Sequence, residues 1–246
     1  IKSMKLYQFP PSLNIWNVSP FCLKLEAFLV LSEIDYEVTD LVDLSSAPKG
    51  KGPYIELDGE KIGDSNLIID ILTKKHDITF GTPLTDSEKA ISTAFRAMVE
   101  EHLYWVMVYS RWAIDKNWAV INDLFFGKIP DAGMRDKIAA EAREYVLQNI
   151  YSQGLGRHSQ EEIFEFARKD ISAIANWLSD KDYFFGPNIK LIDLCVYSLL
   201  ANLLIDELSS PLTEMVKSHE NLLNYCKRIE GLLNRKREEN RLKKVA

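Results

Sequence analysis

A hydroxyl side chain stands at the predicted start of a helix in the segment Asn17-Val18-Ser19-Pro20-Phe21-Cys22. Serine is a favoured N-cap residue, and proline suits the first helical position because its missing N–H needs no intrahelical partner there. The free backbone N–H groups and the dipole of such a helix end stabilise an anion. A bound thiol, whose pKa is normally about 8.5, is more easily ionised when the Ser19 hydroxyl donates a hydrogen bond to it. The alternative is that Ser19 is a plain helix cap.

Two further segments place polar groups at the ends of predicted elements. Pro53, in Lys51-Gly52-Pro53, opens a strand, a position that interior strands rarely give to proline because its backbone donor is missing. Asp64 and Ser65 begin the next helix. There the N–H and hydroxyl of Ser65 suit a carboxylate, while Asp64 suits an ammonium group.

The three segments together resemble the N-terminal domain of the glutathione transferase superfamily. The resemblance is closest to its metaxin-like and failed-axon-connection-like branch, through Ser-Pro-Phe-Cys-Leu-Lys-Leu-Glu from Ser19, Lys-Gly-Lys-Gly-Pro-Tyr-Ile-Glu from Lys49, and Ile-Gly-Asp-Ser from Ile62. It implies that Ser19 is the catalytic residue that stabilises the glutathione thiolate. It also implies a cis bond before Pro53, pairing of the Gly52 backbone with the cysteinyl unit, and binding of the γ-glutamyl end by Asp64 and Ser65.

One departure from the family pattern lies just before the proline. Only Leu41 to Lys51 separate the second predicted strand from the Lys-x-Pro unit, where typical members have room for a full helix. The helix is therefore expected to be short or absent. Lys51 and Lys49 are the nearest cationic candidates for binding the glycyl carboxylate of glutathione.

Other side chains leave alternatives open. Cys22 could act alone as a thioltransferase nucleophile if it were exposed, although its place in the first helical turn indicates burial. Trp105, Tyr109 and Trp112 follow one another at i, i+4 and i+7 and either line an electrophile pocket, as the resemblance implies, or form a core stripe. The four histidines lie far apart, and only His158 has a ligand-type residue at i+4, so no metal site is expected.

The elements that position these residues change in type along the chain. Strands at Lys5 to Phe9, Tyr36 to Asp40, Pro53 to Leu57 and Lys61-Ile62 give a β-α-β, β-β-α order, which predicts an α/β thioredoxin-like domain over residues 4–77. An all-helical domain is expected over 85–233 and a basic tail over 234–246. Its helices are predicted at Asp86 to Lys116, Asp131 to Gln153, Gln160 to Leu178, Leu191 to Leu208 and Pro211 to Leu233. By the resemblance, Asp193 caps its helix.

Composition narrows the choice of function. A net charge of −6 argues against a nucleic-acid-binding surface, and no segment is long and apolar enough to be expected to span a membrane. Three widely spaced cysteines and the lack of a secretory signal favour a reducing, cytoplasmic location. Hydrophobic residues at 46% allow a sizeable core.

The resemblance implies a glutathione transferase that conjugates glutathione to small hydrophobic electrophiles, as in detoxification, and that forms a homodimer. Glutathione is then a substrate, and no metal is required. The alternative is a non-catalytic, metaxin-like protein that uses the same fold for protein interaction. The short connection before Lys51 favours the alternative, whereas the intact set of Ser19, Pro53, Asp64 and Ser65 favours the enzyme.

Overall fold

The computed structural model describes residues 4–41 and 43–245. Within that part of the chain one sheet forms from four strands: Met4–Gln8 (β1), Tyr36–Asp40 (β2), Tyr54–Leu57 (β3) and Glu60–Gly63 (β4). The strand order is β2-β1-β3-β4, with β1 and β2 parallel and the other neighbours antiparallel. The predicted α/β, thioredoxin-like layout of this domain is confirmed.

The cross-strand register sets which chain segments meet at the end of the sheet. Tyr7 pairs with Tyr54, and Tyr54 pairs with Gly63. Tyr7 also stacks on Tyr54 with ring centroids 4.3 Å apart and donates its hydroxyl hydrogen to Glu56. Because β1 runs against β3 and β3 against β4, the end of β1, the start of β3 and the end of β4 lie side by side.

Two helices belong to this layer, Pro20–Leu31 (α1) and Ser65–His76 (α2). α1 is buried on nearly all sides, with Leu25, Phe28 and Leu29 wholly inaccessible to solvent. A helix whose residues are mostly apolar and buried on every face is expected in the middle of a protein rather than on its surface. α1 accordingly lies between the sheet and the helices that follow.

The rest of the described chain is helical, as predicted. A continuous helix begins at the Thr85 capping box as Asp86–Ala97 (α3), passes through a π-helical stretch, Met98–Leu103, and ends as Tyr104–Trp112 (α4). Six helices follow: Asp115–Phe126 (α5), Ala132–Gln153 (α6), Gln160–Leu178 (α7), Leu191–Leu203 (α8), Pro211–Lys217 (α9) and Glu220–Val245 (α10).

Helix α5 was missed by the sequence analysis, which ended one helix at Lys116 and began the next at Asp131. Its apolar face is nonetheless present, since Ile121 is buried and Trp118 and Leu124 pack around it. The predicted helix from Pro211 is in fact two helices, α9 and α10. The Ser218 hydroxyl donates to the Met215 carbonyl at the break, where a side chain competes with the helical backbone.

Asp193 caps α8, as the resemblance implied. Its Oδ2 accepts from the Lys190 N–H at 2.7 Å, and its Oδ1 accepts from the Phe184 N–H and the Tyr225 hydroxyl at 2.8 Å each. Burial raises the Asp193 pKa to about 6, although these donors act in the opposite direction. The Lys190 side chain donates to the Thr82 carbonyl and so ties the segment before α3 to α8.

Helix α10 continues to Val245, whereas the sequence analysis ended the helix at Leu233 and left a basic tail. The tail charges have partners: Lys243 contacts Glu33 at 2.9 Å and Lys244 contacts Asp35 at 3.0 Å. Asn240 donates to the carbonyl of Val30, so the same helix end also binds the backbone of α1. These contacts on the N-terminal domain stabilise the last turns of the helix.

The innermost contact of this helix end is made by Arg237 with Glu26 of α1. Glu26 is 1% exposed and accepts hydrogen bonds from Arg237 at 2.7 Å, Gln8 at 2.9 Å and the Tyr36 hydroxyl at 3.0 Å. The Arg237 guanidinium also lies 4.0 Å from the centre of the Trp16 ring. The only charged donor that the described residues supply to this buried carboxylate therefore comes from α10.

No helix in residues 4–41 and 43–245 combines the length and the apolar character that crossing a membrane requires.

We expect Arg237→Met to lower the melting temperature, because the buried Glu26 carboxylate loses a charged hydrogen-bond donor. A loss of about 1–2 kcal/mol corresponds to roughly 3–6 °C for a chain of this length. Differential scanning fluorimetry measures the shift. Lys243→Met is the matched control, since its ion pair with Glu33 is exposed, and it should melt close to wild type. Equal shifts in the two variants would contradict this account of Glu26.

Candidate functional site

Ser19 is the N-cap of α1, at the point where the loop from β1 turns into the helix. Its backbone is extended (φ −97°, ψ 120°), and its Oγ accepts a 3.3 Å hydrogen bond from the Cys22 N–H. Pro20 occupies the first helical position, so the predicted helix start is confirmed. Because Oγ uses a lone pair for the cap, the hydroxyl hydrogen of this half-buried side chain can be donated to a ligand.

The loop before Ser19 is tied to the end of β1 by Asn17, which is fully buried. Asn17 Nδ2 donates to the Phe9 carbonyl at 2.6 Å, and Asn17 Oδ1 accepts from the Ser19 N–H at 3.0 Å. Asn17 therefore holds Ser19 at the end of the sheet where β3 begins and β4 ends.

The peptide bond between Gly52 and Pro53 is cis, as the resemblance predicted. It immediately precedes β3, and Pro53 is buried. Leu41 packs so closely on Gly52 that a Cβ atom there would lie 2.4 Å from Leu41 Cδ2. A larger residue at Gly52 would therefore require the Leu41 side chain to shift.

Asp64 and Ser65 follow β4 at the same end of the sheet. Asp64 has a positive φ of 76°, and its side chain caps α2 through Oδ1, which accepts from the N–H groups of Asn66 at 2.9 Å and Leu67 at 3.1 Å. Among the described residues Oδ2 has no hydrogen-bond partner, and the residue is exposed. Ser65 is buried as the first helical residue. The pair thus combines an accessible carboxylate oxygen with a helix N-terminus, which suits a zwitterionic group.

The connection from Leu41 to Lys51 holds one short 3₁₀ turn, Leu44–Ser46, among its described residues, in keeping with the limited length of the segment. The stem of Lys49 crosses Gly63, where a Cβ atom would lie 3.3 Å from Lys49 Cγ. Lys49 is therefore close to the start of α2, and Lys51 is exposed just before the cis peptide bond.

Cys22 lies directly behind Ser19 but is wholly buried. Burial raises the pKa of its thiol to about 12. The thiol is therefore neutral near pH 7, and thiolate chemistry by Cys22 would need the helix start to open.

A buried ion pair joins the two helix starts to the helical domain, and the sequence analysis missed it. Lys24 Nζ lies 2.8 Å from Glu100 Oε2, and their side chains are 4% and 8% exposed. Lys24 also donates to Asn66 Oδ1 at 2.8 Å, and Asn66 donates to Glu100 at 3.3 Å. Glu100 lies in the π-helical stretch, a feature often found at functional sites. The only sequence signal was the presence of charged residues, Lys24 and Glu26, on a helix that is otherwise apolar.

The predicted aromatic stripe is divided by the structure. Tyr109 points to α7, where the centroid of its ring lies 6.1 Å from that of Phe164. Trp112 packs against the apolar cluster that contains Val18. Trp105 is half-buried beside Tyr104. Tyr104 was not predicted as a pocket residue. Its ring centroid lies 4.8 Å from that of Phe21, so among these four aromatic residues it is the one described in contact with the start of α1.

A cleft of about 660 Å³ lies elsewhere, between α5 and α6. Its lining includes Trp118, Arg143 and Tyr151 and, among the described residues, none of the predicted site residues. His158 contacts Glu162 at 3.4 Å, and no three His, Cys, Asp or Glu side chains converge as metal ligands in the part of the chain that the structure describes.

Comparison with protein families matches both parts of the chain. A family model for the glutathione S-transferase N-terminal domain matches residues 20–118, and a model for the glutathione S-transferase C-terminal domain matches residues 167–229. The first match spans α1 to α4, and the second spans the greater part of α7, the whole of α8 and α9 and the beginning of α10.

Three relatives have different names and lengths. Isoprene-epoxide–glutathione S-transferase of Rhodococcus sp. (strain AD45) is 34% identical over 91% of this chain and 96% of that protein. Failed axon connections of Drosophila melanogaster is 31% identical over 92% of this chain but only 56% of that protein. Metaxin-2 of Homo sapiens is 24% identical over 85% of this chain and 80% of that protein. The predicted resemblance, including its metaxin-like and failed-axon-connection-like branch, is confirmed.

We expect Lys24→Met to destabilise the protein by about 3–5 kcal/mol, because Glu100 would remain buried without its cation. Chemical denaturation measures the loss. The double variant Lys24→Met/Glu100→Gln removes both charges and should recover a large part of it. A double variant as unstable as the sum of the two single variants would show that the pair does not act as a unit.

Proposed function

Because the chain belongs to the glutathione S-transferase family, we propose that it transfers the glutathione thiolate to a small apolar electrophile. The observation that carries the proposal is the convergence of Ser19, the cis Gly52–Pro53 peptide and the Asp64–Ser65 pair at one end of the sheet. A hydroxyl donor, a fixed backbone edge and a helix N-terminus with a carboxylate match the thiol, the peptide and the amino-acid end of glutathione.

Each residue then has a defined role. Ser19 donates its hydroxyl hydrogen to the thiolate, and the Gly52 backbone pairs with the cysteinyl unit beside Pro53. The N–H and hydroxyl of Ser65 hold the γ-glutamyl carboxylate at the start of α2, while Asp64 pairs with the ammonium group. Lys49 and Lys51 are the candidates for the glycyl carboxylate.

The reaction forms one carbon–sulfur bond. The thiol proton leaves to solvent, the thiolate attacks an electrophilic carbon, and the bond from that carbon to its leaving atom breaks. With an epoxide, the electrophile named for the Rhodococcus relative, a carbon–oxygen bond opens and the resulting alkoxide takes a proton from water. A prepared thiolate and the proximity of the two reactants provide the acceleration. Trp105, Tyr109 and Trp112 remain the proposed electrophile pocket, and Tyr104 extends the proposal towards Ser19.

A second candidate is a non-catalytic protein that uses this fold for protein interaction. The short connection around Leu44–Ser46 favours it, because less structure is available there to bind the glycyl end of glutathione. Calorimetric titration with glutathione separates the two. Saturable heat supports the enzyme, and the absence of heat at millimolar glutathione supports the interaction protein.

The proposal also includes a homodimer in the cytoplasm and a role in detoxification, and its support for these is family membership. The domain division at residues 4–77, 85–233 and 234–246 is retained as a proposal too. Residues 234–245 of the last region continue α10.

Ser19→Ala should lower kcat with a thiol-reactive test electrophile by about ten- to a hundredfold, because one hydrogen bond to the developing thiolate is lost. The glutathione dissociation constant should change little. Stopped-flow and steady-state assays give both values. Ser19→Thr, which keeps both the hydroxyl and the helix cap, is the matched control and should retain most activity. If Ser19→Ala keeps the wild-type kcat, Ser19 serves only as a helix cap.

Asp64→Asn should weaken glutathione binding by about ten- to a hundredfold, because a charged hydrogen bond to the ammonium group contributes ~1.5–3 kcal/mol. Asparagine keeps the side-chain oxygen that caps α2, so the melting temperature should stay near wild type. Calorimetry and thermal melting measure the two effects. Unchanged affinity would exclude Asp64 as the ammonium partner.

A further inference from the structure

Arg111 of α4 is a buried cation that contacts the loop in front of Ser19. Arg111 is only 6% exposed to solvent. Nη1 donates to the Val18 carbonyl at 2.6 Å, and Nη2 donates to Asn202 Oδ1 at 2.9 Å. Asn202 of α8 in turn donates to the Asn17 carbonyl at 3.3 Å. Two helices of the C-terminal domain therefore bind the backbone of this loop.

The peptide unit between Val18 and Ser19 is held at both ends. Its C=O accepts from Arg111, and its N–H donates to Asn17 Oδ1 at 3.0 Å. Rotation of this unit would break both hydrogen bonds. Arg111 thus fixes the direction in which the first turn of α1 and the Ser19 hydroxyl face.

The charge of Arg111 has no counter-ion among the described residues. Its hydrogen-bond acceptors are neutral oxygens of Val18 and Asn202. The ionisable groups that face this region are Tyr104 on α4 and Cys22 on α1, and burial raises the pKa of both, so both are neutral near pH 7. Burying an unpaired charge is unfavourable unless an anion compensates it.

An anion at the start of α1 would supply that compensation. The dipole of α1 favours an anion at the helix start, and the positive charge of Arg111 lies just beneath the loop that leads there. The other side chains that hold the loop, Asn17 and Asn202, are neutral. Arg111 therefore supplies the only full charge among the described side chains that bind the backbone of Asn17 and Val18.

We propose that Arg111 is a positioning residue that orients the Ser19 hydroxyl and whose unpaired charge favours the ionised form of the thiol bound there. The inference rests on the proposed function, with glutathione as the thiol. In the step concerned only the S–H bond breaks, and the proton passes to solvent. The negative sulfur then faces the Ser19 hydroxyl, the start of α1 and the field of Arg111.

The test is the pH titration of enzyme-bound glutathione, followed by thiolate absorbance in the ultraviolet. Arg111→Met should raise the midpoint by about one pH unit, which is a tenfold lower thiolate fraction below the midpoint. Arg111→Lys keeps the charge and should stay nearer to the wild-type midpoint. Asn202→Asp adds a carboxylate beside Arg111 and should raise the midpoint while Arg111 stays in place.

Binding of S-methylglutathione, which has no ionisable thiol, separates charge from structure. Its affinity should be similar in wild type, Arg111→Met and Asn202→Asp. The inference is overturned if the midpoint is unchanged in Arg111→Met, or if S-methylglutathione affinity falls as much as glutathione affinity. If Arg111→Met does not fold, an unchanged midpoint in Asn202→Asp overturns it. Failure of wild type to bind glutathione overturns the proposed function instead.

Discussion

The antiparallel register of Tyr7, Tyr54 and Gly63 is the constraint on which the candidate site depends. It aligns the end of β1, the start of β3 and the end of β4. Each of these three points adjoins a different motif of the candidate site. A shift of the register by one residue would turn every side chain of a strand to the opposite face and separate the motifs along the strand direction. The stacked rings of Tyr7 and Tyr54 stabilise this register at the position where it matters.

Several buried polar groups of the N-terminal domain have their partners in the helical domain. Glu26 of α1 accepts its charged hydrogen bond from Arg237 of α10, and Lys24 of α1 pairs with Glu100 in the π-helical stretch. The Val18 carbonyl accepts a hydrogen bond from Arg111 of α4. All three contacts join a buried polar group to a partner far away in sequence. Loss of either partner while the domains stay packed would leave a desolvated charge or carbonyl unpaired. Binding geometry at the start of α1 is therefore coupled to the packing of both domains.

The two candidate functions of this chain are best distinguished at the short connection before Pro53. Family membership and the isoprene-epoxide transferase relative favour catalysis, whereas Failed axon connections and Metaxin-2 show that proteins with other names have related sequences. The residues proposed to bind the cysteinyl and γ-glutamyl units, Gly52, Pro53, Asp64 and Ser65, are all present in the chain. The connection that would bind the glycyl end is reduced to a short turn, so affinity for whole glutathione decides between the two functions.

The sequence by itself determined the features that depend on local rules. The cap at Ser19, the helix start at Asp64 and the α/β-then-helical order follow from residue types at fixed spacing, and the cis bond at Pro53 followed from family resemblance. Only the tertiary structure decided which charges are buried and what pairs with them, as at Arg111. A periodicity shows which face of a helix is apolar, but a polar residue on that face has no partner within its own element, and its partner depends on how distant elements pack.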